Sequence, residues 1–231
     1  MDDTRQVVLD TETTGLEVER GHRVIEIGCV ELRGRRLTGN FHRYVNPERT
    51  VDAQAAAVHG LDDERLAGEP VFAALAQDLW GYLEGAELII HNAAFDVGFL
   101  DREFAKAGVG TPLAEACTVT DTVLMARKLH PGQRASLDAL CRRYGVDNSK
   151  RELHGALLDA QLLAEVYLAM TGGQVAMTLE ASSVPQAVAV SDAQGGAAVG
   201  ALLVIQACQA ELDAHNARLE AIKDMAGHCL W

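Results

Sequence analysis

Gln6-Val7-Val8-Leu9-Asp10-Thr11-Glu12-Thr13-Thr14-Gly15 is the stretch that decides the reading of this chain. Its first five residues read as a buried strand ending in a carboxylate. Side chains two apart on a strand share a face, so Asp10 and Glu12 point the same way. Two carboxylates beside an apolar core repel each other and are costly to desolvate. A bound divalent cation relieves both costs, and an oxygen-only ligand set suits Mg²⁺ or Mn²⁺ rather than zinc. The competing reading has Asp10 capping a turn and Glu12 standing in solvent.

Two further strands follow, Val24 to Leu32 and Asn40 to Val45, joined across Arg33-Gly34-Arg35. Val71 to Leu83 has helical spacing, with Val71, Leu75, Leu79 and Leu83 on one face. Glu87 to His91 reads as a short strand, Ala94 to Ala107 as a helix and Cys117 to Thr120 as a strand. Asp121 to Leu129, Leu137 to Tyr144 and Gly155 to Met170 read as helices. A meander of strands followed by alternating strands and helices predicts an α/β fold with a mixed sheet flanked by helices.

Two more clusters carry chemistry. In Ile90-His91-Asn92-Ala93-Ala94-Phe95-Asp96 a strand runs into a helix, with Asp96 in its first turn. The plain alternative is an aspartate favoured there by the helix dipole. In Leu153-His154-Gly155-Ala156-Leu157-Leu158-Asp159, His154 precedes a helix and Asp159 follows about one and a half turns later. The two side chains then face one cavity from different heights. A capping histidine is the alternative.

The chain of 231 residues carries a formal net charge of −13. A protein gripping long duplex DNA through its phosphates is usually basic. Any nucleic-acid contact is therefore expected to be small, local or metal-mediated. Cys29, Cys117, Cys141, Cys208 and Cys229 are odd in number and scattered, which argues against a disulfide framework and a zinc site and suits the reducing cytosol. No apolar run approaches the ~20 residues of a membrane-spanning helix, and the first residues do not resemble a signal peptide.

The chain divides near Gly172-Gly173. Residues 1–173 form the expected main domain, 174–200 read as a linker, and 201–231 as a helical tail. The tail from 174 on carries −4 and the preceding part −9, so neither is a basic arm. Between Ala201 and Ile222, Ile205, Cys208, Leu212, Leu219 and Ile222 fall on one helical face.

Taken together, Asp10, Glu12, Asp96, His154 and Asp159 resemble the signature of the DEDDh 3′→5′ exonuclease family. That signature is an Asp and a Glu on the first strand, an Asp after the fourth, and H-x4-D near the domain's end. The stretches Val8 to Gly15, Glu87 to Phe99, Ser136 to Leu140 and Asp147 to Gly173 are similar to the branch that proofreads for bacterial DNA polymerase III. The resemblance spans roughly residues 5–180, with an echo at Cys229-Leu230-Trp231.

The resemblance implies a ribonuclease H-like sheet and two divalent cations, Mg²⁺ or Mn²⁺. Asp10 would bridge both, Glu12 and Asp159 would complete one site, and Asp96 would hold the other, partly through water. His154 would take the proton from the attacking water, and a 5′-mononucleotide would leave. Substrate would meet Asp10, Glu12, Thr13, Gly15, Leu16, Asn92, Phe95 and Asp159. His59, in Val58-His59-Gly60 at a helix end, belongs to that set, with Gln54 where the family carries a glutamate. For Phe95 a core role stands as the alternative. For Lys150 and Arg151, phosphate contact is weighed against a solvated loop, which is the favoured reading.

The resemblance further implies partners: DNA 3′ ends, the polymerase III alpha (catalytic) subunit bound through the tail, and a small theta-like accessory subunit. Gln174, Met177 and Leu179 would anchor an extended peptide on the beta sliding clamp. One rival is a related enzyme that trims RNA 3′ ends, and the tail argues against it. Another is a scaffold that keeps the fold without activity, and the five matching residues argue against that.

Overall fold

The computed structural model describes residues 4–149, 151, 153–172 and 209–226. Lys150, the expected clamp peptide with Gln174, Met177 and Leu179, and the linker up to residue 200 lie outside the described residues, as do Ile205, Cys208 and the side chain of Ile222.

Five strands form one sheet in the order β3-β2-β1-β4-β5. They are β1 (Gln6–Thr13), β2 (Val24–Arg33), β3 (Arg36–Tyr44), β4 (Glu87–Ile90) and β5 (Thr118–Asp121). The meander β1-β2-β3 is antiparallel, whereas β4 and β5 run parallel to β1. The mixed sheet expected from the order of elements is therefore present, with β1 at its centre. Strand β1 does not stop at Asp10 but runs on to Thr13.

Alternation on the central strands sorts the core into two layers. Val7 and Leu9 of β1, with Leu88 and Ile90 of β4, pack against α3 (Phe72–Leu83) and α4 (Ala93–Ala107). Val8 and Ile89 face the other way, against α7 (Leu137–Tyr144) and α8 (Ala156–Thr171). Continuing the period of two, Asp10 and Glu12 project to the α8 side. Apolar burial on both faces of β1 fixes this register, because a one-residue slip would drive both carboxylates into the α3–α4 layer.

Some of the helices start at residues whose side chains cap them. Asp121, at the end of β5, accepts hydrogen bonds from the Val123 and Leu124 amides and so caps α6 (Thr122–Leu129). Its other oxygen accepts from the Ala93 amide at the start of α4. One carboxylate therefore satisfies the orphan donors of two helices. Ser136 caps α7.

The hairpin between β2 and β3 turns on Gly34 and Arg35, with φ of 51° and 65°. Positive φ at both central residues is the geometry that matches strand twist in a two-residue loop. Arg35 lacks the conformational freedom of glycine, but its guanidinium donates to the Leu168 carbonyl at 2.6 Å and to Thr171 Oγ1 at 3.0 Å, tying the turn to the end of α8.

The chain divides into two compact units, Met1–Thr178 and Leu179–Trp231. In the second, α9 (Gln209–Ala226) is helical as expected, and Leu212 is exposed. Among the described residues no helix is long and apolar enough to cross a membrane.

Candidate active site

Three segments distant in sequence converge on one cleft of about 300 Å³. The cleft is lined by Asp10 and Glu12 from β1, Asn92, Phe95 and Asp96 from the start of α4, Asp159 from α8, and His154 from the loop before α8. All five residues of the expected signature are thus brought together.

Each is held by the fold. Asp96 is 3% exposed, and one of its oxygens accepts from both the Thr11 amide (3.0 Å) and the Thr11 hydroxyl (2.7 Å). The helix carrying Asp96 is thereby pinned to the residue between Asp10 and Glu12. Asp159 is also 3% exposed. Glu12, His154 and Asp159 offer ligand atoms that all lie within 4.8 Å of one another. The His154 loop is seated by the His154 amide, which donates to the Val58 carbonyl at 3.1 Å, and by Leu153, whose side chain covers Gly60.

The electrostatics are those of crowded acids. Burial, then Asp96, Glu12 and Asp159, hold Asp10 well above the usual carboxylate range. Glu12 is pushed up to about 8, first by burial and then by Asp159, Glu26 and Asp96. Asp96 is raised to about 7 by burial, against the opposing hydrogen bonds from Thr11. Desolvation and like charge both disfavour the ionised forms, and cations bound among these oxygens reverse both. The donor set therefore fits hard divalent ions.

A second hollow of about 520 Å³ adjoins the cleft. Thr11, Glu12 and Phe95 line both. Thr13, Gly15, Leu16, Gln54 and His59, all expected at the substrate, line this second hollow. Leu16 is 80% exposed at its rim. His59 is buried, its Nδ1 accepts from the Leu61 amide, and its Nε2 has no hydrogen-bond partner. The Thr13 carbonyl approaches the ring, but outside hydrogen-bond geometry. Asn92 sits at the head of α4 with φ 69° and no capping bond, which leaves its amide exposed to the cleft. Phe95 packs on Phe99 with ring centroids 4.9 Å apart and also lines both hollows.

Arg151 departs from the expectation of a solvated loop. Its side chain is only 8% exposed, and its guanidinium forks onto both oxygens of Asp159, at 2.5 and 2.6 Å. It also donates to Asp138 at 2.8 Å and to His154 Nδ1 at 2.9 Å. The acidic wall of the cleft supplies the charge that makes burying this cation favourable. A lone basic residue in a loop has no periodicity, so nothing local to the sequence signals this position. His91, Ser136 and Asp138 also line the cleft and were not singled out for it.

A buried sheet-end carboxylate cluster beside an apolar hollow is the arrangement of a metal-dependent phosphodiesterase. Residues 7–167 match the family model described as exonuclease (RNase_T), and the chain belongs to that family. It is a 3′→5′ exonuclease, on a fold that is generally divalent-metal dependent.

Several relatives named DNA polymerase III subunit epsilon are similar along nearly the whole chain. The one from Escherichia coli (strain K12) is 51% identical over 241 residues, covering 99% of this chain and 97% of the relative. The one from Pasteurella multocida (strain Pm70) is 51% identical over 237 residues, covering 99% and 93%. Among solved structures, exonuclease X in complex with 5′ overhanging duplex DNA has a TM-score of 0.58 at 23% identity, covering 73% of this chain and 92% of that one. The zinc-ion-bound E. coli ExoI–ssDNA complex has a TM-score of 0.65 at 16% identity, covering 75% and 41%. These two likenesses show the shared fold.

Proposed function

We propose that this chain is the proofreading subunit of a bacterial DNA polymerase III, a cytoplasmic enzyme that removes 3′-terminal nucleotides from mispaired or single-stranded DNA ends. The observation that carries the reading is the convergence of Asp10, Glu12, Asp96, His154 and Asp159 on one cleft, in a chain similar from end to end to polymerase III epsilon subunits.

Two divalent cations, Mg²⁺ or Mn²⁺, bound among Asp10, Glu12, Asp96 and Asp159 would lower the pKa of the attacking water and stabilise the leaving oxygen. The chain's own residues do the rest. Asp10, Glu12, Asp96 and Asp159 would share in holding these ions, and the oxygens they offer would orient the scissile phosphate. Asp96 is oriented for this by Thr11. His154, half-exposed beside Asp159, accepts the proton from the water as a neutral imidazole. The hollow next door receives the terminal nucleotide: Leu16 and Phe95 offer apolar contact, His59 Nε2 a buried polar atom, and the Thr13–Gly15 backbone and Gln54 polar edges. Asn92 faces the incoming strand.

The acidic charge of −13 is compatible with this substrate. Only a few unpaired nucleotides enter, and a mismatched end unpairs at lower cost than a matched one. Weak intrinsic DNA affinity is offset by tethering. The tail from 201 binds the alpha catalytic subunit, and Gln174, Met177 and Leu179 bind the beta sliding clamp. Both raise the local concentration of the site at the primer end. A theta-like accessory subunit completes the partner set.

The test compares paired DNA, mispaired DNA and RNA 3′ ends, with Mg²⁺, Mn²⁺ or chelator, for the wild type, Asp10→Asn and Asp159→Asn. Loss of DNA digestion in both folded variants is expected, with faster removal of mispaired than paired ends. Wild-type rates in either variant would refute the site, and a preference for RNA would favour the RNA-trimming alternative. A chain ending at residue 173 should digest single strands normally but fail to co-purify with the alpha subunit.

A further inference from the structure

Among the described residues of the cleft, Arg151 stands where it opposes the chemistry around it. Its fork occupies both oxygens of Asp159 at 2.5 and 2.6 Å. A guanidinium has five donors and no acceptor, so the 2.9 Å contact to His154 must use the imidazole Nδ1 lone pair as acceptor. In that state the neutral ring carries its proton on Nε2 and has no free lone pair with which to accept another. One side chain therefore engages a carboxylate needed for a cation and holds the imidazole in a tautomer that cannot take a proton.

The surroundings also provide for its release. Asp138, half-exposed at the cleft's edge, already accepts from the third guanidinium nitrogen at 2.8 Å and is itself held by Asn148 at 3.1 Å. A guanidinium leaving Asp159 keeps this partner and so is not stranded as an unpaired buried charge.

We propose that Arg151 is an inhibitory latch: it neutralises Asp159 and occupies His154 Nδ1 until a divalent cation displaces it, leaving it paired with Asp138 alone. The inference rests on the reading of Asp159 as a metal ligand. It makes Arg151 a positioning residue that competes with the metal. A residue that merely supports the site would strengthen metal binding, and its loss would weaken it; loss of a competitor does the reverse.

The experiment is a calorimetric titration of Mn²⁺ into the chelator-stripped full chain, for wild type, Arg151→Lys, Arg151→Gln and Asp159→Asn, each first shown to be folded by its thermal melt. Arg151→Lys keeps the charge and loses the fork. Both Arg151 variants are expected to bind Mn²⁺ more tightly, by about tenfold for Gln and severalfold for Lys, in line with the strength of charge-assisted hydrogen bonds. Tighter binding by Gln with wild-type binding by Lys would mean that charge alone is felt, and would overturn the latch. Equal or weaker binding by both would overturn it too. Should Arg151→Gln not fold, Arg151→Lys alone decides. Unchanged Mn²⁺ binding by Asp159→Asn would instead remove the ligand assignment itself, so the two failures are distinguishable.

Discussion

Asp10 and Gly28 lie directly opposite each other in the β1–β2 ladder, and the missing side chain of Gly28 is the space into which the first turn of α8 fits. A Cβ there would stand 2.2 Å from the Ala156 carbonyl carbon and from the Leu157 nitrogen. Because both clashes are with backbone, the helix must move as a whole. Gly28→Ala should therefore push α8, and Asp159 with it, away from Asp10. We expect a loss of about 1–3 kcal/mol in urea melts from overpacking. A far larger drop in single-strand digestion, on the order of 10²-fold, is expected from the misplaced carboxylate. A variant with wild-type activity would show that α8 is not held in register by this contact.

The crowded carboxylates make the metal-free protein sensitive to pH. Ordinary values are 4.5 for Glu12 and 3.8 for Asp96, but in the folded cleft they stand at about 8 and about 7. Between these limits the native state holds more protons than the unfolded chain, so the stability from these groups falls as pH rises. In chelator, Tm should drop between about pH 6 and pH 8, and Mn²⁺ should restore it at the upper end by pairing with the ionised groups. Glu12→Gln should flatten the chelator profile over this window. A wild-type profile that is flat or rising, with the variant parallel to it, would contradict this account of the cluster.

His154 lies 3.4 Å from Asp159 Oδ2 and within the same ligand-distance group as Glu12, so it has the geometry of either a base or a ligand. As a base, His154→Ala should cost about 10²–10⁴ in rate, not weaken Mn²⁺ binding, and change stability by no more than about 0.5 kcal/mol at this half-exposed position. Calorimetry separates the alternatives, since a lost ligand would weaken Mn²⁺ binding as well.

Away from the cleft, Arg23 forks onto Glu103 of α4 at 2.6 and 2.8 Å, and the same carboxylate accepts from the Val24 amide. Arg23 is 13% exposed and Glu103 4%. Glu103→Ala removes the fork from a nearly buried guanidinium, leaving it the Pro47 carbonyl at 3.2 Å and the Glu48 carboxylate at 3.7 Å, and is expected to cost about 3 kcal/mol in urea unfolding, the low end for breaking a buried pair. Activity per folded molecule should be retained, because neither residue lines either hollow. A cost below about 1 kcal/mol would show that water reaches Arg23.

The parts of this architecture legible in the sequence are those written in periodicity and order. Val7 to Leu9 announce the central strand, and the two-residue spacing of Asp10 and Glu12 puts them on one face. Leu75, Leu79 and Leu83 announce a helix. The start of β3 was hidden because Arg36 to Asn40 lie exposed on an edge strand and bury no apolar face that alternation could reveal. Arg151 was hidden for a different reason. Its environment is made by Asp138 and Asp159, which belong to two different helices, and only the packing of α7 against α8 brings them to it. The importance of Gly28 likewise belongs to a helix more than a hundred residues away.

Thr11, Glu12 and Phe95 form a wall common to the carboxylate cleft and to the hollow proposed to receive the nucleotide. On the proposed function, nucleotide choice and bond breaking would be mechanically inseparable at that wall, and any drift in base or sugar preference routed through Glu12 or Phe95 would drag turnover along with it. Leu16 and Gln54 border the nucleotide hollow but not the cleft. They are the places where selectivity is free to evolve, or to be engineered, while the hydrolytic centre stays as it is.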